Sequence, residues 1–598
     1  MRKYKKAAGL LAVSLVISMC SGCVMDREKS SESQAGETAN LTDEDTEIKK
    51  AAKQDINEVH LRDKDTLYEN DDETSVVTMY LTVSRGNVSE NTDHSWKEIN
   101  NYSVYDYDTM GVERYQAAAL LQVGDEDGPQ QGAVGYGETA PNATVQVRGQ
   151  TSSEYAQKNY KIELKKNKGT WRGQRTINLN KHMGEGMRFR NKLAYDLMKK
   201  IPQMLSLRTQ FVHLYVKDNT DGTSDSFADY GLYTQVEQLN KTGMKAHGLD
   251  SNGQLYKINS FEFYRYEDVI KKEDEVDYDQ KKFEKHLEIK GNSDHSKLIE
   301  MLDTVNDYSI PIDEILNQYF DTENITYWMA YQILTENVDT QNRNSYIYSP
   351  LNSDTWYFIS WDNDGSFMRT EYKIRQFSDQ GGWESGISNY WGNVLFQRCL
   401  KSQTFRDKLN DAILDLKENY LTEDRLTTMI ESYKSVVKPY AYSMPDQMNE
   451  PLTEEQYEQV AAAIPGEVEK NYQLYLESLE KPMPFYIGVP VIENNKLKLV
   501  WDVSYDFDAE DITYTVEVAR DYLFQDVIYR SENQPLPEMA MDVPEAGQYF
   551  VRVRAGNKSG YTQDAFDYYV TDSGKNYGMK CFYVTEDNRV EEDTYDEK

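Results

Sequence analysis

ENVDTQNRNSYIYSPLNSDTWYFISWDNDGSF, residues 336–367, is the stretch on which the reading of this chain turns. A helical run ends near Asn337 and gives way to a polar loop from Asp339 to Asn344. Ser345-Tyr-Ile-Tyr348 reads as a strand, SPLNSD as a turn and Trp356-Tyr-Phe-Ile-Ser360 as a second strand. Trp361, Asp362, Asn363, Asp364 and Gly365 follow at once. A single Asp says little here, because the chain carries 101 Asp and Glu residues. The bland alternative is a hairpin with solvated polar ends, so the ordered set has to carry the argument.

Upstream, residues 296–336 read as helices: SKLIEMLDTVNDY, PIDEILNQYF and TENITYWMAYQILTEN, the last with Ile325, Trp328, Met329 and Ile333 on one face. Before them, from VVTMYLTV at 76–83 to about residue 260, strands dominate: ATVQVRGQ (143–150), NYKIELKK (159–166), FVHLYVKD (211–218) and YGLYTQVEQ (230–238). RFRNKLAYDLMKKI (188–201) is the one clear helix there, with Leu193, Leu197 and Ile201 at helical spacing. After the opening stretch, residues 391–480 return to helices. PMPFYIGVP breaks that pattern, and 484–572 read as a separate all-β module of short strands with Trp501 in an early one. This module resembles a fibronectin type III sandwich, whose usual roles are spacing and adhesion. The fold expected is therefore α+β, strand-rich first and helical second, followed by an all-β sandwich.

Composition limits what such a chain does. At 598 residues with 39% hydrophobic content it can fill two or three domains. A net charge of −35 argues against nucleic acid as main partner, and an anionic ligand would need a locally positive pocket. MRKYKK followed by AAGLLAVSLVISM has the order of a secretory signal, too short for an ordinary membrane span. It ends at CSGC, which resembles the lipobox of bacterial lipoproteins, with Cys23 as the lipidated residue and Cys20 a departure from the usual Leu. The expectation is an extracytoplasmic, membrane-anchored bacterial lipoprotein: signal peptide 1–23, polar tether 24–74, main domain 75–480, β-module 484–572 and acidic tail 573–598. Cys399 and Cys581 frame no disulfide pattern, and the seven His residues show no zinc spacing.

A helix, a loop with Asp and an Asn five residues later, a hairpin, and then Asp before Gly: this order resembles the protein-kinase site. There the loop Asp orients the hydroxyl nucleophile, and the Asn and later Asp hold divalent cations on the triphosphate. The need is physical, since hard cations take oxygen ligands. The segments VRGQTSSEYAQKNYKIEL, RNKLAYDLMKKI, YGLYTQVEQLNK, GQLYKI and ENVDTQNRNSYIY…WYFISWDND occur, in this order, in a pattern similar to the CotH (spore coat protein H) family. That resemblance covers roughly residues 75–480. It implies an atypical protein-kinase-like fold, ATP with Mg²⁺ or Mn²⁺ as cofactors, and transfer to Ser or Thr hydroxyls of surface, envelope or spore-coat proteins.

By the resemblance, Asp339 is the catalytic-loop acid and Asn344 and Asp362 are metal ligands. Arg148, Lys158 and Lys161 fall in the family's phosphate-side pattern, Lys158 preferred and Lys161 second. Glu237 would sit near the adenine or pair with a lysine. Asp364 has only its nearness to recommend it, and Lys257 in LYKI is left outside the site. The sequence departs from ordinary kinases, with NVD for HRD and WDND for DFG. GAVGYGETA (132–140) is a weak Gly-rich-loop match. The competing reading is a catalytically silent surface lipoprotein that binds or scaffolds. A glycosidase would need two acids at a set separation and leaves the Asn without a role.

Overall fold

The computed structural model describes residues 60–377, 383–571 and 574–593. Cys23 and the signal segment lie outside the described residues. The strand-rich first part comprises β1 (Val76–Ser84), β2 (Ala117–Asp125), β3 (Gly128–Pro129), β4 (Ala143–Arg148), β5 (Asn159–Leu164), β6 (Thr176–Asn180), β7 (Thr209–Asp218) and β8 (Ala228–Glu237). The sheet runs β1-β7-β8-β6-β5-β4-β2-β3, and an added β1–β2 pairing closes it on itself. Closure buries one face of every long strand, which is why Leu81, Leu121, Val145, Ile162, Leu179 and Leu214 share one core. In β4 and β5 the alternation is strict, so Gln146 and Arg148, with Asn159, Lys161 and Glu163, face outward.

GAVGYGETA does not form a loop between two paired strands. It turns between β3 and β4, and Gly135, at φ +75°, packs so tightly that a Cβ would stand 2.1 Å from the Leu121 carbonyl oxygen. Close packing against β2 accounts for that glycine.

The second part has a smaller antiparallel sheet, β10-β9-β11-β12, made of β9 (Gln254–Ile258), β10 (Leu287–Ile289), β11 (Ser345–Ser349) and β12 (Tyr357–Ser360). The Thr322–Thr335 helix lies against it, buried nearly all round, with Trp328 4.9 Å from Phe358 and 5.5 Å from Phe396 between ring centroids. Asp321 caps its first turn through the Asn324 N–H. Glu336, left-handed at φ +54°, ends it. The expected helices at 391–480 are present, and the last, Glu454–Glu480, runs on through the buried Pro465.

Two expected boundaries are corrected. Residues 60–74 are polar in composition but belong to the body: the buried Leu61 donates its N–H to Asp321, Asp63 meets His247 at 2.6 Å, and Asp71 meets Lys199 at 2.8 Å. Ion pairs hold this strap together with one buried apolar side chain, Leu61, so composition hid it. The acidic tail likewise begins later than residue 573.

The C-terminal strands are β13 (Val491–Glu493), β14 (Lys496–Val500), β15 (Thr513–Ala519), β16 (Val527–Gln534), β17 (Glu538–Asp542), β18 (Gly547–Gly556), β19 (Thr562–Asp564), β20 (Tyr568–Thr571), β21 (Gly574–Tyr577), β22 (Met579–Val584) and β23 (Val590–Glu592). They make a β13-β14-β17 sheet, a β16-β15-β18-β22-β23 sheet with β19 beside β18, and a β20–β21 hairpin. Trp501, Tyr514, Val551 and Phe582 lie in the core of this part. The module is not set apart: Phe566 packs on Trp383 at 5.1 Å and Tyr505 on Trp391 at 5.3 Å. No described helix is long and apolar enough to cross a membrane.

Candidate active site

The register of the β11–β12 hairpin builds the site. Ser345 pairs with Ser360, so Asn344 and Trp361 stand at its open end, and the Trp361 N–H bonds the Asn344 carbonyl at 3.1 Å. Asn344 and Asp362 are thereby neighbours, both left-handed at φ +54° and +55°. Such a backbone is uncommon for residues with a Cβ and is tolerated best by Asn and Asp. The Asn344 side-chain amide has no protein partner among the described residues.

Asp339 lies in a single 3-10 turn, Val338–Thr340, directly after the helix cap. Its loop is pinned from behind: Asn389 Nδ2 donates to the Val338 carbonyl at 2.9 Å, Asn393 Nδ2 to the Gln341 carbonyl at 2.9 Å, and Thr340 shares a hydrogen bond with Tyr390 at 3.0 Å. A chain of amides ties this loop to the Asp362 turn. Asn337 Nδ2 donates to Gln332 at 3.1 Å and to Asn363 at 3.3 Å, while the Asn363 N–H bonds Asn191 at 3.1 Å. The Asp362 N–H donates to the Tyr195 hydroxyl at 3.2 Å. Asn191 and Tyr195 both come from the buried Arg190–Met198 helix. They are site-positioning residues that the sequence reading missed, since helical periodicity does not reveal a polar face buried on purpose.

Burial, and then its neighbour Asp364, push the Asp362 carboxyl up to about 6, while Arg148, His182 and Lys257 pull it down. The Asp339 side chain is open to solvent. Even so, the protein crowded around it is the first cause raising its carboxyl above the ordinary range, with Arg343 and Lys575 opposing. Asp364 stands 3.6 Å from Nδ1 of the buried His182.

Of the expected cationic residues, Arg148 is in place. It donates to Asn180, its guanidinium lies 5.8 Å from the Trp361 ring centroid, and it acts directly on Asp362. Lys257, set aside in the sequence reading, belongs with it: its ammonium lies 5.6 Å from the same ring centroid. Lys257 pairs in register with Tyr346 of β11, which puts both on the face shared by Trp361. Burial lowers the pKa of both cations. The signal for Lys257 was the β9–β11 register, which no single strand reveals.

Lys158 is turned elsewhere, its ammonium 2.7 Å from the Ser153 carbonyl and under the influence of Asp106 and Glu154. Lys161 pairs with Glu163 at 3.1 Å but lies on the cleft-facing side, near enough to act on Glu288. Lys161, not Lys158, thus shares the outward face of β4 and β5 with Arg148. Glu237 is fully buried: Arg208 grips both its oxygens at 3.0 and 2.6 Å and His247 adds a contact at 2.9 Å. Among the described residues no lysine pairs with it, and its carboxylate is taken up by Arg208 and His247.

A family model described as CotH kinase protein matches residues 145–475. Inner spore coat protein H of Bacillus subtilis (strain 168) is 21% identical over 313 residues, spanning 51% of this chain and 79% of that protein. Among solved structures, the Helicobacter pylori proinflammatory kinase CtkA shares 12% identity over 54% of this chain and 94% of its own. Its TM-score of 0.20 is too low to argue the fold.

Proposed function

The chain belongs to the CotH kinase family, and on that premise we propose that it is an atypical protein kinase moving the ATP γ-phosphate to Ser or Thr hydroxyls of surface, envelope or spore-coat proteins. One observation carries this reading: two cations share the Trp361 ring and both act on Asp362, the carboxylate that hairpin register sets beside Asn344.

The donor set fits a divalent cation. Asn344 offers an unpartnered amide oxygen, and Asp362 and Asp364 are like charges whose repulsion a cation relieves. Mg²⁺ or Mn²⁺ bound with ATP would supply charge neutralisation on the phosphate oxygens. Asn344 and Asp362 would hold the metal, and Arg148 and Lys257 would balance the remaining phosphate charge, with Lys161 at the edge. Asp339 orients the acceptor hydroxyl and takes its proton, a role its raised pKa assists. The Arg208–Glu237–His247 cluster keeps the strand end behind the site rigid.

The strand order β13-β14-β17 facing β16-β15-β18-β22 supports a fibronectin type III-like module. The N-terminal reading supports anchoring through lipid on Cys23 outside the cytoplasm. Loss of metabolic palmitate label in Cys23→Ala, with the protein released to the medium, would bear that out.

The activity test incubates the full chain with γ-labelled ATP, Mn²⁺ or Mg²⁺ and a Ser-rich protein. Asp339→Ala and Asp362→Ala each abolish label transfer, and only Asp362→Ala also weakens metal-dependent nucleotide binding. Equal labelling by all three proteins, or none by any, overturns the kinase reading.

A further inference from the structure

The C-terminal module contributes to the Asp339 site. Its β20–β21 hairpin pairs Tyr568 with Tyr577 and Val570 with Lys575, so these four residues share one face. The other face docks into the module, with Tyr569 4.9 Å from Phe550. The Tyr577 face is turned to the main domain: its ring lies 5.8 Å from Trp383 and its hydroxyl donates to Glu384 at 3.1 Å. Glu384 in turn lines a small cavity together with Asn337, Val338 and Asn389, the residues that launch and brace the Asp339 loop. The hairpin thus stands against the catalytic loop, and Lys575 is on the side that faces it. Lys575 also lies 4.1 Å from the Tyr568 ring centroid, which fixes the direction of its stem.

Two exposed cations flank Asp339, Arg343 from its own loop and Lys575 from the hairpin, and both act on its carboxyl. Among the described residues neither has a carboxylate within ion-pair distance. The hairpin also brings two tyrosine rings to the same edge, a surface suited to an extended polypeptide.

We propose that the β20–β21 hairpin is the acceptor-side wall of the site, and that Lys575 with Arg343 selects a polypeptide whose acceptor hydroxyl is flanked by carboxylates. This rests on Asp339 being the catalytic acid. Arg148 and Lys257 stand around Trp361 and act on Asp362, whereas Arg343 and Lys575 act on Asp339, the residue that meets the acceptor in this reading. Complementary charge at an exposed rim acts on affinity and encounter, so the effect belongs in KM.

The test uses the full chain and peptides with one Ser flanked by Glu, Gln or Lys, read by label transfer and, separately, by fluorescence anisotropy without turnover. Wild type should favour the Glu peptide over the Gln peptide about fivefold, through KM with kcat little changed. Lys575→Met should erase most of that ratio and Lys575→Glu should invert it, with metal–ATP affinity unchanged. Ratios identical in wild type and both variants, or a wild-type preference for the Lys peptide, overturn the proposal. Transfer to no peptide while metal–ATP still binds counts against the kinase reading, and the anisotropy contrast then decides the hairpin by itself.

Discussion

Asp362 shows how a carboxylate crowded by protein and by a second acid weakens the fold that holds it. Its ordinary pKa of 3.8 is raised to about 6 by burial and by Asp364. Between those values the folded chain keeps a proton that the unfolded chain has lost, so stability falls as pH rises through that window. Asparagine at this position does not titrate. Metal-free Asp362→Asn is therefore expected to be about 1–2 kcal/mol more stable than wild type at pH 7.5, with the gain fading towards pH 4. Urea denaturation at the two pH values measures it, and a variant less stable at pH 7.5 would contradict the account. The residues around Asp362 also mark how far sequence reaches. The nearness of Asn344 and Asp362 was legible because a short hairpin fixes its own register and brings its ends together. The direction of Lys257 was not legible because it follows from pairing with a strand far along the chain, and that of Lys158 because it turns back to the Ser153 carbonyl of its own loop. Nor was the ion-paired setting of Glu237, whose acid is taken by Arg208 and His247.

At the scale of elements, two connections tie separate segments together. The first is the strap at residues 60–72. His247 sits between Glu237 and Asp63; burial alone would lower its pKa, but the two acids raise it to about 9. Burial would likewise raise Glu237, yet His247 and Arg208 hold it at about 2. The histidine's contribution is fully present below about pH 6.5 and is lost as pH rises through 9, whereas the glutamate's is lost only as pH falls from 4.5 through 2. The stability advantage of wild type over His247→Gln should thus peak near pH 5–6 and shrink by about 2–3 kcal/mol by pH 9.5. An advantage independent of pH would show that the imidazolium is not what holds the strap. The second connection is the amide chain through Asn337. Asn337→Ala removes two buried donations and strands their acceptors, at a cost of about 1–3 kcal/mol. Because Asn337 bonds Gln332 of the preceding helix and Asn363 rather than Asn344 or Asp362, label transfer should fall more than tenfold while metal–ATP binding changes little; loss of both in step would mean general unfolding. Neither connection was visible as periodicity. Both are polar contacts between distant segments, and composition made the strap look like a tether.

The whole molecule depends on the C-terminal module more than a linker-joined spacer would. The barrel closes by a β1–β2 pairing and needs no help from outside, which is why the first part could be read as strands from alternation alone. Even there AAALLQVGD (β2) escaped notice, since an Ala- and Leu-rich run carries no two-residue period. The module's strands were mostly legible one by one, but its last three, Gly574–Tyr577, Met579–Val584 and Val590–Glu592, lay hidden in what looked like a charged tail. Its docking could not be read at all, because Trp383, Trp391, Tyr505 and Phe566 are ordinary aromatic residues until they meet. A chain ending at residue 481 would expose those rings and remove the hairpin beside Asp339. Each aromatic pair carries about 0.5–1.5 kcal/mol beyond the area it buries, so the truncated chain should lose several degrees in Tm. Its tryptophan emission should shift to the red, since Trp383 is only 9% exposed in the intact fold. Metal–ATP binding should persist, because Asn344, Asp362, Arg148 and Lys257 all lie before the cut, while acceptor peptides should bind more weakly. Unchanged Tm and emission would show instead that the module is a passenger, and that the Asp339 site owes it nothing.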